Sequence, residues 1–210
     1  MESGAILSFL GAAILLTLMP GPDNIFVLTE SLTKGQRNGI AISIGLCCGI
    51  MIHTIAAATG VSIIIQRSAM AFSIVKYLGA AYLFYLAYQA FKEKRKRIEI
   101  EPVIKNEAEK SFLKLVRTGL LMNVLNPKVA LFFMALLPQF VSQQGIPVAW
   151  QMIVLGAVFM VQALVIFGLI SVLSGRLSGY LNSRKFWKIT KYSKVGVLSL
   201  LGLGLVLAKK

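Results

Sequence analysis

Apolar residues fill the chain in six long runs, at about 5–28, 40–65, 69–91, 112–137, 148–173 and 195–208. Most lie near the roughly 17–25 residues that a membrane-spanning helix needs, so the pattern predicts six transmembrane helices. The last run is short, and its helix is expected to start nearer Tyr192. Two of the runs are interrupted about halfway: the first by Met19-Pro20-Gly21-Pro22-Asp23-Asn24, the fourth by Asn123-Val124-Leu125-Asn126-Pro127-Lys128. Pro20, Pro22 and Pro127 carry no backbone N–H, so a continuous helix would strand the carbonyls of Leu16, Leu18 and Asn123. In hydrocarbon such a defect survives only where protein or a wet cavity satisfies it. Matching Gly/Pro interruptions in two halves of a chain point to the midplane binding site of a secondary transporter.

The halves are 1–91 and 112–210, joined by a polar, basic linker over 92–111 that contains Pro102. Each half holds three spans, and an odd number makes the second half enter the membrane in the opposite sense. The expected fold is therefore an all-α integral membrane domain: six transmembrane helices as two inverted three-helix repeats, with a Pro-broken first helix in each. In the second span Gly45, Gly49 and His53 recur every four residues, so one face can approach a neighbouring helix closely and His53 is expected to face protein.

Composition agrees with a bilayer setting. Of 210 residues, 57% are hydrophobic and only 14% charged, against roughly 25% charged in soluble domains. The net charge of +14 would suggest nucleic acid in a soluble protein, but its placement argues otherwise. Basic residues crowd the connections after spans one, three and five (Lys34 and Arg37; Lys92 to Arg117; Arg176 to Lys194), while the other connections carry little. All the rich connections fall on one side, which the positive-inside rule makes cytoplasmic, with both termini outside. No aromatic-interleaved basic motif accompanies the charge, so no nucleic-acid partner is expected; the lipid bilayer is the partner. Glu2 and the absence of a basic start before the first run do not resemble a cleaved signal peptide, and that run is expected to remain in the mature protein.

Under this topology the half-helices that begin near Asp23 and near Pro127 both point their N-termini at the midplane. Their unpaired N–H groups and partial positive charge suit the carboxylate of a small substrate. Freed carbonyls and Asp23 suit an ammonium group or a coupling proton. An ionised Asp near a span centre costs about 2.5–3.5 kcal/mol on insertion scales, which makes Asp23 the sharpest candidate, with capping of the following half-helix as its alternative. Asn24 and Asn126 lie at the same depth, as site residues or as caps. Lys128 can pair with Asp23 or with a substrate carboxylate, or reach elsewhere. His53 can relay protons or make an interhelical hydrogen bond. Lys76, Gln162 and Glu30 read as structural.

The adjacent pair Cys47-Cys48 cannot supply CxxC chemistry and reads as small buried residues. With one histidine and no H-E-x-x-H, G-x-S-x-G or phosphate loop, the chain has no catalytic signature, no expected cofactor and no expected metal site. It is not expected to be an enzyme or an ATP-driven pump. A proton crossing 100 mV supplies about 2.3 kcal/mol, so an ion gradient is a sufficient source of energy.

Pro20-Gly21-Pro22-Asp23-Asn24, then Lys34-Gly35-Gln36-Arg37-Asn38-Gly39, Gly45, Gly49 and His53, resemble the amino-acid exporters of the lysine exporter and threonine/homoserine exporter (LysE/RhtB) family. The likeness continues through Lys76-Tyr77-Leu78-Gly79-Ala80-Ala81-Tyr82-Leu83, Leu125-Asn126-Pro127-Lys128 and Pro138-Gln139-Phe140. It implies a bacterial inner-membrane protein that exports amino acids or related metabolites, driven by protons, with Pro20, Gly21, Pro22, Asp23, Asn24, His53, Asn126, Pro127 and Lys128 at matching positions. One acidic residue deep in the membrane favours neutral substrates such as threonine, homoserine or leucine, though Asp23 alone can accept a lysine side chain. The expected cycle is proton-coupled alternating access, in which one repeat rocks against the other. The alternatives are an exporter of metal or other inorganic ions, a membrane enzyme or electron carrier, and a noncatalytic membrane subunit. The chain's size permits a homodimer.

Overall fold

A computed structural model describes residues 3–63, 68–95, 111–142, 144–181 and 183–207. Every regular element among them is helical. The first apolar run forms α1 (Ser3–Leu18) and α2 (Pro22–Lys34), which meet at 58°. Gly35, at φ 91°, turns the chain directly into α3 (Gln36–Ala56), which continues through a π turn at Ala57–Val61. Next comes α4 (Ala69–Lys92), whose N-cap Ser68 accepts the backbone N–H of Ala71 at 3.1 Å. The second bent pair is α5 (Phe112–Val124) and a segment opened by α6 (Pro127–Leu131), which runs on through a π turn (Phe132–Leu136) and a 3-10 turn (Leu137–Phe140); the two parts meet at 53°. The chain ends in α7 (Val148–Val172), a short α8 (Ser174–Leu181) and α9 (Arg184–Leu207). Four helices are long and apolar enough to cross a membrane, and six spans result if each bent pair counts as one. Large apolar side chains such as Leu7, Met70, Leu78, Leu113, Trp150 and Leu200 stay exposed along their outer faces, as lipid contact requires. The protein is a multi-pass membrane protein. Most of the expected linker lies outside the described residues, which include only 92–95 and 111 of it.

Close helix approaches are set by glycine. A Cβ on Gly45 would fall inside the Val116 carbonyl of α5, and one on Gly119 of α5 would fall inside the Ile42 carbonyl of α3, so the two backbones touch. Gly156 gives Thr54 the same access between α7 and α3. The Gly45, Gly49, His53 face of α3 thus meets α5, as its four-residue spacing predicts. α4 packs along α9, and α2 lies against both α3 and α7.

The last helix begins at Arg184, well before the apolar run that announced it. Hydropathy marks the length buried in lipid, whereas helical hydrogen bonding continues into the interface, where basic stems lie along apolar surface. Lys191 Nζ sits 5.4 Å from the Phe91 ring centroid and 5.1 Å from that of Trp187, and Lys194 pairs with Glu93 at 2.9 Å. At the other end of the molecule Gln151 closes the connection into α7. It accepts the Ser142 N–H at 2.9 Å and donates to the carbonyls of Ser142 at 2.8 Å and Ile146 at 2.7 Å.

Candidate functional site

The two helix breaks, about a hundred residues apart in sequence, meet in space. Asn126 donates from Nδ2 to the Asp23 carboxylate at 2.7 Å, and Lys128 donates from Nζ to the Leu16 carbonyl at 3.2 Å. Leu16 is the residue whose carbonyl Pro20 leaves without a backbone donor, so a side chain from the second break repairs the first. The second break is repaired in the opposite direction. The Asn123 carbonyl, which Pro127 cannot serve, takes the Asn126 N–H at 2.9 Å and lies 3.2 Å from His53 Nε2 of α3. Because a carbonyl only accepts, Nε2 is assigned the proton. The ring of His53 also stacks on Phe133 at 5.9 Å and 24°.

Capping is divided differently from either sequence reading. Gly21 holds the N-cap position of α2, with Pro22 in its first turn, while Asp23 follows inside the helix and gives its carboxylate to Asn126. Asn126 fills both roles considered for it: its Oδ1 caps α6 by accepting the Lys128 N–H at 3.0 Å, and its Nδ2 reaches Asp23. Asn24 donates from Nδ2 to the Thr17 carbonyl at 2.9 Å, another group freed by the break.

A small cavity lies at this junction, lined by Leu16, Thr17, Asp23, Ile50, Asn123, Lys128, Val129, Phe159 and Phe167. Its free volume is about 10 Å³, close to the need of one water. An amino acid does not fit until helices separate. Phe159 belongs both to the cavity wall and to a tight aromatic cluster, 5.2 Å from Phe132, 5.3 Å from Phe133 and 6.4 Å from Phe9. Twelve residues further along α7, or about 18 Å at 1.5 Å per residue, Ser171 forms a polar seam: its Oγ accepts from Ser31 Oγ at 2.9 Å and donates to the Gln36 carbonyl at 2.9 Å. Along α7 the aromatic cluster at Phe159 and the hydroxyl seam at Ser171 thus lie to either side of Phe167, the helix's other cavity-lining residue.

Of the expected site residues, Asp23 and Lys128 line the cavity, Asn24 and Asn126 bond to its wall, and His53 holds the carbonyl of a wall residue from the α3 side. Pro20, Gly21, Pro22 and Pro127 form the bends, with Lys128 Nζ 3.7 Å from where a Cβ on Gly21 would stand. Thr17, Phe159 and Phe167 were not singled out by the sequence. Gln162, read there as structural, donates from Nε2 to Thr17 Oγ1 at 2.9 Å. The signal for this pair was a Thr three residues before Pro20 and a lone Gln mid-span, each unremarkable alone. Among the described residues no group of three His, Cys, Asp or Glu side chains gathers into a metal-binding cluster.

Residues 14–210 match the sequence profile described as LysE type translocator. The chain belongs to this family. It is 29% identical over 206 residues to YrhP, an uncharacterized membrane protein of Bacillus subtilis (strain 168), covering 96% of this chain and 97% of that one. An uncharacterized membrane protein of Vibrio cholerae is 30% identical over 96% of this chain and 95% of its own length. A homoserine/homoserine lactone efflux protein of Salmonella typhimurium is 30% identical over 86% of this chain and 85% of its own. No solved structure matches the chain.

Proposed function

We propose that this LysE-family translocator exports small neutral α-amino compounds, with homoserine and threonine as the first candidates, from the cytoplasm across the bacterial inner membrane. The observation that carries the reading is the cavity between the two broken helices, which the carboxyl side chain of Asp23 and the amine side chain of Lys128 both line. A zwitterion or an amino lactone offers an ammonium to the first and a carbonyl or carboxylate oxygen to the second. The efflux relatives named for homoserine and its lactone support this choice, because those two compounds share an α-ammonium next to a carbonyl carbon.

The small size of the cavity supports alternating access: in this scheme the substrate enters when the serine seam opens and leaves when the aromatic cluster parts. The basic ends of the spans support a cytoplasmic placement of the Ser31 and Ser171 end, with both termini outside. Packing supports the inverted repeat: the second spans α3 and α7 contact each other, as do the third spans α4 and α9, and each half's break is repaired from the other half. Asp23 is the coupling residue in this scheme, taking a proton when the ammonium is absent.

The test is Asp23→Asn in proteoliposomes loaded with L-homoserine or L-threonine under an imposed proton gradient. The amide keeps an acceptor for Asn126, so the variant should fold with near-normal thermal stability, while gradient-driven efflux falls at least tenfold. Proton-stimulated efflux equal to the wild type would remove Asp23 from the coupling role.

A further inference from the structure

A strong concentration of positive charge lies where α4 ends and α9 begins. Gly79 faces Leu205, Phe84 packs on Gly202, and Glu93 meets Lys191 and Lys194, so the two helices run antiparallel and the C-terminus of α4 meets the early turns of α9. Residues 92–95 hold three basic side chains and residues 184–194 hold five, against one acid, Glu93. That acid is committed: its carboxylate takes Lys194 Nζ at 2.9 Å and its carbonyl takes Lys191 Nζ at 3.1 Å. The two bonds clasp the end of α4 to α9 and leave the rest of the patch in excess positive charge.

α9 begins seven residues before Lys191, so about 10 Å of basic helix projects beyond the clasp. Arg184, Lys188 and Lys191 recur at i, i+4 and i+7 and share one face, on which Arg184 and Lys188 are exposed. On the α4 side Lys92 is exposed too, its Nζ 4.6 Å from the Tyr88 ring centroid. Aromatic rings are interleaved with these cations: Tyr88 is 55% and Tyr192 59% exposed, and Phe91 and Trp187 flank Lys191. Further along the same two helices Leu78 and Leu200 present exposed apolar surface. Cations, then aromatic rings, then apolar surface is the order in which a phospholipid presents its phosphate, its ester region and its acyl chains. A soluble anion would use the cations alone.

We propose that the junction of α4 and α9 binds the headgroup of an anionic phospholipid, with Arg184 and Lys188 of α9 and Lys92 of α4 on its phosphate and Tyr88 and Tyr192 at its ester level. Arg184 brings the planar fork that matches phosphate oxygens, and the two lysines bring mobile point charges. α4 and α9 pack chiefly on each other, so a headgroup held by both helices staples the pair at this end. The site shares no residue with the cavity between the broken helices and does not depend on what that cavity carries.

The experiment is a lipid titration of the full chain in a neutral detergent, read as thermal shift. The probes are dioleoyl phosphatidylglycerol, dioleoyl phosphatidylcholine and, as the free anion, glycerol 3-phosphate. Phosphatidylglycerol should stabilise the protein saturably, at a half-saturating concentration at least about tenfold below that of phosphatidylcholine, and glycerol 3-phosphate should do nothing at the same concentration. Arg184→Gln with Lys188→Gln should leave the melting temperature without lipid unchanged and raise the half-saturating concentration of phosphatidylglycerol at least about tenfold, since each basic residue near an anionic surface is worth roughly fivefold. Arg184→Lys with Lys188→Arg should keep it within about threefold. Arg37→Gln with Arg176→Gln removes the same charge from two other exposed positions and should change nothing. An equal loss in that control pair overturns the site in favour of diffuse surface charge. Equal stabilisation by phosphatidylcholine, or by glycerol 3-phosphate, overturns it as well. So does a phosphatidylglycerol response that emerges only after Glu99, Glu101, Glu107 and Glu109 are changed to Gln, because the chain's own linker is then the occupant.

Discussion

Lys128→Met should cost stability for a reason that a second substitution can undo. The Lys128 ammonium donates to the Leu16 carbonyl, which lacks its helical donor because residue 20 is proline, and Leu16 is only 1% exposed. Methionine keeps most of the stem's volume and removes the donor. A buried carbonyl left unpaired costs about 1–3 kcal/mol, which for a chain of this size lowers the melting temperature by roughly 2–12 °C. Pro20→Ala restores a backbone N–H four residues after Leu16, next to an α1 whose last turn is already closed by the Met19 N–H on the Leu15 carbonyl at 3.0 Å. In the double variant that N–H replaces the lost ammonium, so Pro20→Ala should recover at least about 1 kcal/mol in the Lys128→Met background beyond its effect in the wild type. Thermal or denaturant unfolding of the four proteins in one detergent measures the coupling, and transport should stay low in the double variant because the cavity has lost its cation. A coupling below about 0.5 kcal/mol, the ordinary scatter of independent sites, would refute the claim that Lys128 repairs the first break.

Two other perturbations test the packing and the orientation. Gly45→Ala places a methyl against the backbone of α5 at Val116, where no side chain can yield, and should destabilise the protein by about 1–3 kcal/mol or more in thermal unfolding; Gly168→Ala, which meets no atom within 4 Å, should be neutral. Cysteine introduced at exposed Gln144 should react with a membrane-impermeant maleimide added to intact spheroplasts, and cysteine at exposed Lys94 only after permeabilisation; the reverse pattern would invert the proposed topology.

The sequence carried the broken spans, because proline and glycine in an apolar run conflict with the backbone's need for donors wherever the chain folds. It also carried the α3 face of Gly45, Gly49 and His53, since four-residue spacing is a property of the helix itself. What repairs each break was not legible. The donor for Leu16 comes from residue 128, and the Asn123 carbonyl, beside the local Asn126 N–H, draws a second from residue 53; no local rule pairs positions so far apart. The partner of Gln162 was hidden for the same reason: a lone amide in a span gives no hint that Thr17 will take its N–H. The early start of α9 escaped because basic residues lower hydropathy without disfavouring a helix, and their stems find aromatic faces at Phe91 and Trp187.

The kinds of contact that hold each element also bear on which parts move. α3, α5 and α7 are joined by backbone-close glycine contacts, Gly45 and Gly119 between the first pair and Gly156 between α3 and α7. Separating them would open voids that no solvent fills, and densely packed interfaces of this sort shift as units. The broken helix α1 and α2 meets the second half through four hydrogen bonds, Leu16 with Lys128, Thr17 with Gln162, Asp23 with Asn126 and Ser31 with Ser171, and contributes Phe9, Ala13, Leu16 and Val27 to the apolar core. Polar bonds of this kind can be exchanged for bonds to water or to a substrate at little net cost, since each contributes only about 0.5–1.5 kcal/mol. α3 belongs to the first half while α5 and α7 belong to the second, so the glycine contacts cross the boundary between the halves, and in the proposed export cycle a rocking of one repeat against the other has to part them. A motion that spares those contacts would keep α3, α5 and α7 as a frame and swing α1 and α2 across it, with Pro20 to Pro22 as the flexure. Under the proposed export cycle, substrate binding would then act on the moving part directly, because the Asp23–Asn126 and Leu16–Lys128 bonds, which an ammonium and a carbonyl oxygen would compete for, tie α1 and α2 to the second half.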